Sequence, residues 1–140
     1  KVQIVQVISA LAAVLGHNYS PWVGFKGGKG IATSAGVLIA LMPFAILILI
    51  PIFVITLVLT RYVAVASMVS AAALPILTHV GARTHGKWDD GTWNKPLFFL
   101  SLFIGVMAIW KHRTNISRLG DGTESRFVWG SKAKQEKLDP

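Results

Sequence analysis

The chain has 140 residues, 53% of them hydrophobic and 14% charged, with no cysteine and a net charge of +8. A mean hydropathy of +0.57 leaves too little polar surface to enclose a soluble core, so the expected fold class is an all-α, polytopic integral membrane bundle. The lack of thiols excludes a disulfide framework and cysteine catalysis. The positive charge lies at segment ends and in the tail, which fits membrane orientation better than nucleic-acid binding.

No charged side chain occurs from Val2 to Phe25, Gly30 to Thr60, Tyr62 to Ala82 or Pro96 to Trp110. Such gaps predict membrane helices, because about 20 apolar residues cross a hydrocarbon core of roughly 30 Å. The first helix is expected from Val2 to Leu15, ending at Gly16 and continuing upstream of Lys1, since its length of about 21 Å is short for a crossing. A second runs from Ile31 to Met42, about 18 Å, a half-length element. The third, Pro43 to Thr60, is apolar on nearly every face, with Pro51 expected to kink it. The fourth, Tyr62 to Val80, carries Ala64, Ala66, Ser67, Ser70 and Ala71, small residues suited to close helix packing. A polar loop, 81–95, leads to a fifth helix from Pro96 to Trp110. The expected organisation is a membrane-embedded domain over residues 1–124 and a cytosolic basic tail over 125–140.

Five crossings would bring the loop around Lys29, Arg61 and the stretch from His112 to Glu124 to one face, and the 81–95 loop to the other. The first face then holds ten of the fourteen Lys and Arg, against Lys1, Arg83, Lys87 and Lys95 opposite. That asymmetry makes the first face cytoplasmic.

Two stretches on that face can carry chemistry. In Gly16 to Thr33, glycines 24, 27, 28 and 30 free the backbone to approach a ligand. Lys26 and Lys29 stand beside the start of a helix, where unpaired N–H groups and the helix dipole favour an anion such as phosphate. A hairpin whose lysines only fix orientation fits the same residues equally well. Lys29 follows Gly24 by five positions and precedes Gly30, which fails the Walker spacing and disfavours ATP or GTP. In Lys111 to Arg118, a helix places His112, Asn115 and, less closely, Ser117 toward one side, with Arg113 and Arg118 near another. The alternative is a basic cap on anionic lipid heads, which has no need of His112, Asn115 or Glu124. His85 and Asp90 resemble a His/Asp acyltransferase dyad, but the crossing count puts them on the opposite face. No zinc spacing and no G-x-S-x-G elbow is present; no metal and no cofactor is expected.

The residues GHNYSPWVGFKGGKGIAT resemble the G-H-x-x-P…F-K-G-G-K-G-V-A-T loop of the bacterial acyl-phosphate:glycerol-3-phosphate acyltransferases, the PlsY family. KHRTNISRLGDGTE is similar to that family's R-H-R-x-N-I-x-R-L-x-x-G-x-E, and TRYVAVAS to its R-Y-V-S-x-x-S. The resemblance covers Gly16 to Glu124. It implies an inner-membrane enzyme of seven helices, five of them in this chain, that transfers an acyl chain from acyl phosphate to the sn-1 hydroxyl of glycerol 3-phosphate. It also implies a functional link to a phosphate acyltransferase that makes the acyl phosphate. Carried over by position, Gly27, Gly28, Lys29, Gly30 and Thr33 look like the phosphate cradle, joined by His17, Lys26, Arg61 and Arg113. Ser67, His112, Asn115 and Glu124 look like the catalytic set. His112 would be either a general base or an orienting group, with the substrate phosphate taking the proton. Ala64 stands where the family often has serine, a role Ser67 could take, and the family's N-terminal serine-containing motif is expected upstream of Lys1. The alternative function is a small membrane transporter or binder of anions or phospholipids.

Overall fold

The computed structural model describes residues 2–25, 27–84 and 94–129, except for the side chains of residues 2 and 3. Lys26, the His85 and Asp90 pair and the tail beyond residue 129 lie outside the described residues. The order is α1 (Val2–Asn18), a 3-10 turn (Pro21–Val23), α2 (Ile31–Leu41), α3 (Pro43–Thr60), α4 (Val63–Thr84), α5 (Lys95–Lys111) and α6 (Arg113–Gly120).

All five expected apolar segments are helices, with two boundaries moved. Gly16 does not end α1. Nothing lies within 4 Å of a Cβ placed there, and the last helical bond runs from the Tyr19 N–H to the Leu15 carbonyl at 2.8 Å. Ser20 is then extended, φ −62° and ψ 124°, as a residue before proline prefers. The fourth segment likewise passes Val80 and ends at Thr84. Pro43 opens α3 directly after Met42, where its missing N–H costs nothing, and Pro51 sits inside α3 without ending it.

Seven buried residues from α1 to α5 and the α2–α3 junction form one core: Ala10, Leu38, Met42, Leu49, Leu74, Leu100 and Ile104. The small residues of α4 explain its central place between α3 and α5, since Ala64, Ala66, Ser67 and Ala71 are buried. Pro75 cannot donate to the Ala71 carbonyl one turn back. That carbonyl faces α5 at Gly105, where a Cβ would come within 2.8 Å of it. Thr78 and Ser101 join the same pair of helices through their hydroxyls at 2.8 Å. Gly105→Ala is therefore expected to destabilise the detergent-solubilised protein by about 1–3 kcal/mol. An unchanged thermal melt would show that α4 and α5 tolerate a methyl group between them.

By length and composition, α3 and α4 can each cross a membrane alone, and α5 with α6 gives a third span if that pair, bent by 48°, is taken as one. α2, with 11 residues, reaches only about 16 Å, as the half-length expectation had it. α3 turns Phe44, Leu47, Val54 and Leu59 outward, the surface expected against lipid.

Candidate active site

Four chain junctions meet at one end of the bundle: the α1–α2 loop, the α3–α4 corner, the α5–α6 bend and the segment after α6. Each is shaped by local chemistry. The glycine loop feeds α2 through Gly30, φ +74°, a left-handed conformation that suits glycine. Arg61 ends α3 at φ +61°. His112 separates α5 from α6, its N–H still bonded to the Ala108 carbonyl at 3.1 Å.

Lys29 Nζ donates to Asn115 Oδ1 at 2.6 Å across 86 residues. Asn115 Nδ2 donates to Glu124 Oε1 at 2.6 Å, and Arg118 Nε donates to Glu124 Oε2 at 2.7 Å. The Asn115 bond, then Arg118, holds the Glu124 carboxyl below its ordinary pKa. The sign follows: a depressed carboxylate keeps these bonds above its unfolded pKa and loses them only as pH falls through its folded value. His112 and Asn115 are 2% and 3% exposed. His112 Nδ1 lies 2.7 Å from the Ala108 carbonyl. A carbonyl only accepts, so Nδ1 carries the proton and Nε2 of the neutral ring keeps its lone pair.

These side chains line an open polar cavity of about 650 Å³, together with His17, Gly30, Ala64, Ser67, Arg126 and Phe127. A second cavity of about 260 Å³ adjoins it between α2, α3, α4 and α5, lined by Leu38, Leu49, Leu74 and Ile104 among others. Ile31, Phe53 and Ser67 line both. A charged compartment thus opens beside an apolar one, with a serine hydroxyl at their junction.

Of the residues singled out in the sequence, His17, Lys29, Gly30, Ser67, His112, Asn115 and Glu124 come together around the polar cavity. Gly27 and Gly28 pack against the end of α1 instead. A Cβ at Gly27 would overlap the His17 carbonyl, and one at Gly28 would meet His17 Nε2 at 2.6 Å. Thr33 sits in the first turn of α2 and Arg61 at the α3 terminus; neither lines the cavity. Arg113 turns away, donating to the Trp110 carbonyl at 3.3 Å and stacking 5.1 Å over the Trp110 ring. The expected grouping of Arg113 with Arg118 therefore fails: Arg118 follows Asn115 by three residues in α6 and so shares its side, where both bond Glu124. Ala64 lines the cavity where a hydroxyl was in question, and Ser67, nearly one turn on, does too.

Sequence reading gave no role to three contributors. Lys111 Nζ donates to the Asn18 carbonyl at 2.9 Å and lies 4.0 Å from the Tyr19 ring centroid, tying α1 to α5. Asn18 is 1% exposed, and its Oδ1 would meet a Cβ at Gly30 at 2.5 Å. Arg126 completes the set, alongside Arg118 from the second motif. Asn18 and Lys111 lie inside the two motifs and Arg126 just beyond the second.

The sequence profile described as glycerol-3-phosphate acyltransferase matches residues 2–122. A protein of Fusobacterium nucleatum named glycerol-3-phosphate acyltransferase is 46% identical over 121 residues, covering 86% of this chain and 57% of that protein. One of Chlorobaculum parvum with the same name is 37% identical over 141 residues, covering 91% of this chain and 60% of the relative. The crystal structure of PlsY, an integral membrane glycerol 3-phosphate acyltransferase, matches in its glycerol 3-phosphate form with a TM-score of 0.78 at 32% identity, over 96% of this chain and 60% of that one. Its lysophosphatidic acid form matches with a TM-score of 0.77 at 34% identity, over 87% and 57%. The chain thus spans somewhat more than half the length of these relatives. The match over nearly all of its own helices, on the motifs that build the polar cavity, means that this chain belongs to the glycerol-3-phosphate acyltransferase family.

Proposed function

We propose that the protein transfers a fatty acyl group from acyl phosphate to the sn-1 hydroxyl of glycerol 3-phosphate, releasing 1-acylglycerol 3-phosphate and phosphate. It works in this reading as a multi-pass enzyme of the bacterial inner membrane, with its site on the cytoplasmic face and an acyl-phosphate-forming enzyme supplying the donor. The observation that carries it is the Lys29–Asn115–Glu124 chain of hydrogen bonds in a cationic cavity that adjoins an apolar one. One compartment suits phosphate groups, the other an acyl chain. A relative crystallised in a glycerol 3-phosphate form supports that acceptor.

Acyl phosphate is a mixed anhydride, so the protein need not supply a nucleophile. The acceptor hydroxyl attacks the acyl carbon, the bond from that carbon to the bridging oxygen breaks, and phosphate leaves with the electron pair. The hydroxyl proton goes to His112 Nε2 or to the departing phosphate. His112 as general base would contribute about 10²- to 10⁴-fold. Lys29 and the amides of the loop around Gly27, Gly28 and Gly30, with Thr33 in the following turn, form the phosphate cradle in this reading. Lys26, next in sequence to the glycines, and Arg61, at the end of α3, add positive charge near it, whereas Arg113 is turned onto Trp110 and takes no part. Ser67, at the junction, is positioned to donate to the acyl carbonyl oxygen as charge develops there. Asn115 and Glu124 hold the lysine and the arginine in place, which removes reorganisation from the reacting step.

The intact protein, purified in detergent, is expected to form one 1-acylglycerol 3-phosphate for each phosphate released when given acyl phosphate and glycerol 3-phosphate. Anion movement across vesicles without acyl transfer would overturn the reading in favour of a transporter.

A further inference from the structure

The glycine-rich loop rests on the end of α1 at three points. Gly27 lies so close to the His17 and Asn18 carbonyls that a Cβ would overlap the first, Gly28 lies against the His17 ring, and Gly30 against the Asn18 side chain, whose Oδ1 would meet a Cβ there at 2.5 Å. Asn18 is fully buried under that contact. The last turn of α1 is therefore the seat of the loop, and whatever fixes that turn fixes Lys29.

A helix ends in carbonyls that have no N–H of their own to accept from, and in the negative pole of its dipole. At the end of α1 the Leu15 carbonyl takes the Tyr19 N–H, and the Asn18 carbonyl takes Lys111 Nζ at 2.9 Å. The same ammonium lies 4.0 Å from the Tyr19 ring centroid, so it is attracted to the ring face as well as to the carbonyl. Lys111 is the last residue of α5, directly before His112. One side chain thus joins the seat of the loop to the helix end that carries His112.

Lys29 makes a second link between the same two parts, through Asn115. Its ammonium lines the polar cavity, where an arriving anion competes for it. Lys111 stands outside that lining. It is half-buried and its two partners are backbone and ring, so an anion entering the cavity leaves its hold intact. We infer that Lys111 is a positioning residue for acyl transfer: it keeps the glycine loop in register with His112, including while a phosphate engages Lys29. This rests on the reaction proposed above and adds to it a residue that acts through the loop.

Two substitutions in the intact, detergent-purified protein test this. Lys111→Met keeps the apolar stem and removes the ammonium. Lys111→Arg keeps a cation that can donate to the carbonyl and stack on the ring. Hydrogen exchange is followed at the Tyr19 and Phe25 amides, which donate to the Leu15 and Ser20 carbonyls. Losing a charge-assisted bond is expected to speed both in Lys111→Met by about tenfold or more, with the amides of α3 and α4 within about twofold of wild type. Acyl transfer should fall on the order of 10- to 10²-fold, with the loss divided between KM and kcat, and between the two substrates, as it is in Gly27→Ala. Lys111→Arg should bring both readouts back to within about threefold of wild type. Exchange at those two amides that is unchanged or that rises evenly over the bundle, a kinetic pattern unlike that of Gly27→Ala, or an arginine variant as impaired as the methionine one would overturn the assignment. A wild-type protein that transfers no acyl group, with exchange still governed by Lys111, would instead remove the transferase reading and leave the hold on the loop standing.

Discussion

Asn115→Ala is expected to lower the rate of acyl transfer by on the order of 10² to 10³-fold, the range seen when one preorganised donor is removed from a reacting site, with the protein still inserted and helical. The size follows from position. Among the described residues, Asn115 is the one bonded to both Lys29 and Glu124, and it is nearly fully buried. Alanine frees the lysine to swing on its long stem and strands one carboxylate oxygen of Glu124 beside it. Asn115→Asp separates geometry from charge: it keeps an acceptor for Lys29 but sets a second carboxylate against Glu124, so it should rescue little. The measurement is 1-acylglycerol 3-phosphate formed per mole of membrane-extracted protein. Turnover near wild type in both variants would show that the link is ornamental to the reaction.

Gly27→Ala should be nearly as damaging, for a reason that lies in the backbone. A Cβ there would overlap the His17 carbonyl oxygen and come within 2.9 Å of the Asn18 carbonyl carbon and oxygen. These atoms belong to the end of α1, itself tied to α5 by Lys111, so they cannot retreat as a side chain would. The loop must move instead, carrying Lys29 away from Asn115, and a displacement of about 1 Å can cost on the order of 10²-fold in rate. The other glycines calibrate this. At Gly28 the obstacle is the tip of the His17 side chain, which can rotate, so alanine there should cost less. At Gly16 nothing lies within 4 Å, and Gly16→Ala should leave turnover unchanged. Equal activity in Gly16→Ala and Gly27→Ala would mean the loop does not need its close seat on α1.

Much of this arrangement was legible in the sequence because it follows from simple periodicities and gaps. Runs without charge marked the helices, Pro43 marked the α2–α3 junction, and counting crossings brought Lys29 and Asn115 to the same end before any contact was known. Resemblance, rather than spacing, put Ser67 and Glu124 in the catalytic set. What stayed hidden depends on rotation about helix axes and on long-range packing. Lys111 reaching the Asn18 carbonyl, or Pro75 leaving a carbonyl for Gly105 to face, cannot be read from either partner alone. Arg118 was placed away from Asn115, yet it stands three residues on in the same helix, α6, a spacing that makes the two neighbours on one face. Gly16 and Gly81 were read as helix ends by their usual habit. Neither takes a positive φ here, and both sit inside helices.

The choice of an amide to hold Lys29 has a consequence for how the cavity receives an anion. A carboxylate in that place would quench the ammonium, and an arriving dianion would have to win a contest between like-charged rivals. An uncharged oxygen keeps the lysine aimed while leaving its full attraction on offer. In the proposed reaction, phosphate capture then sets an anionic companion beside the neutral one. The cavity is loaded in advance, like a drawn bow held by a light catch, and its pull on passing phosphates should weaken steeply as salt is added.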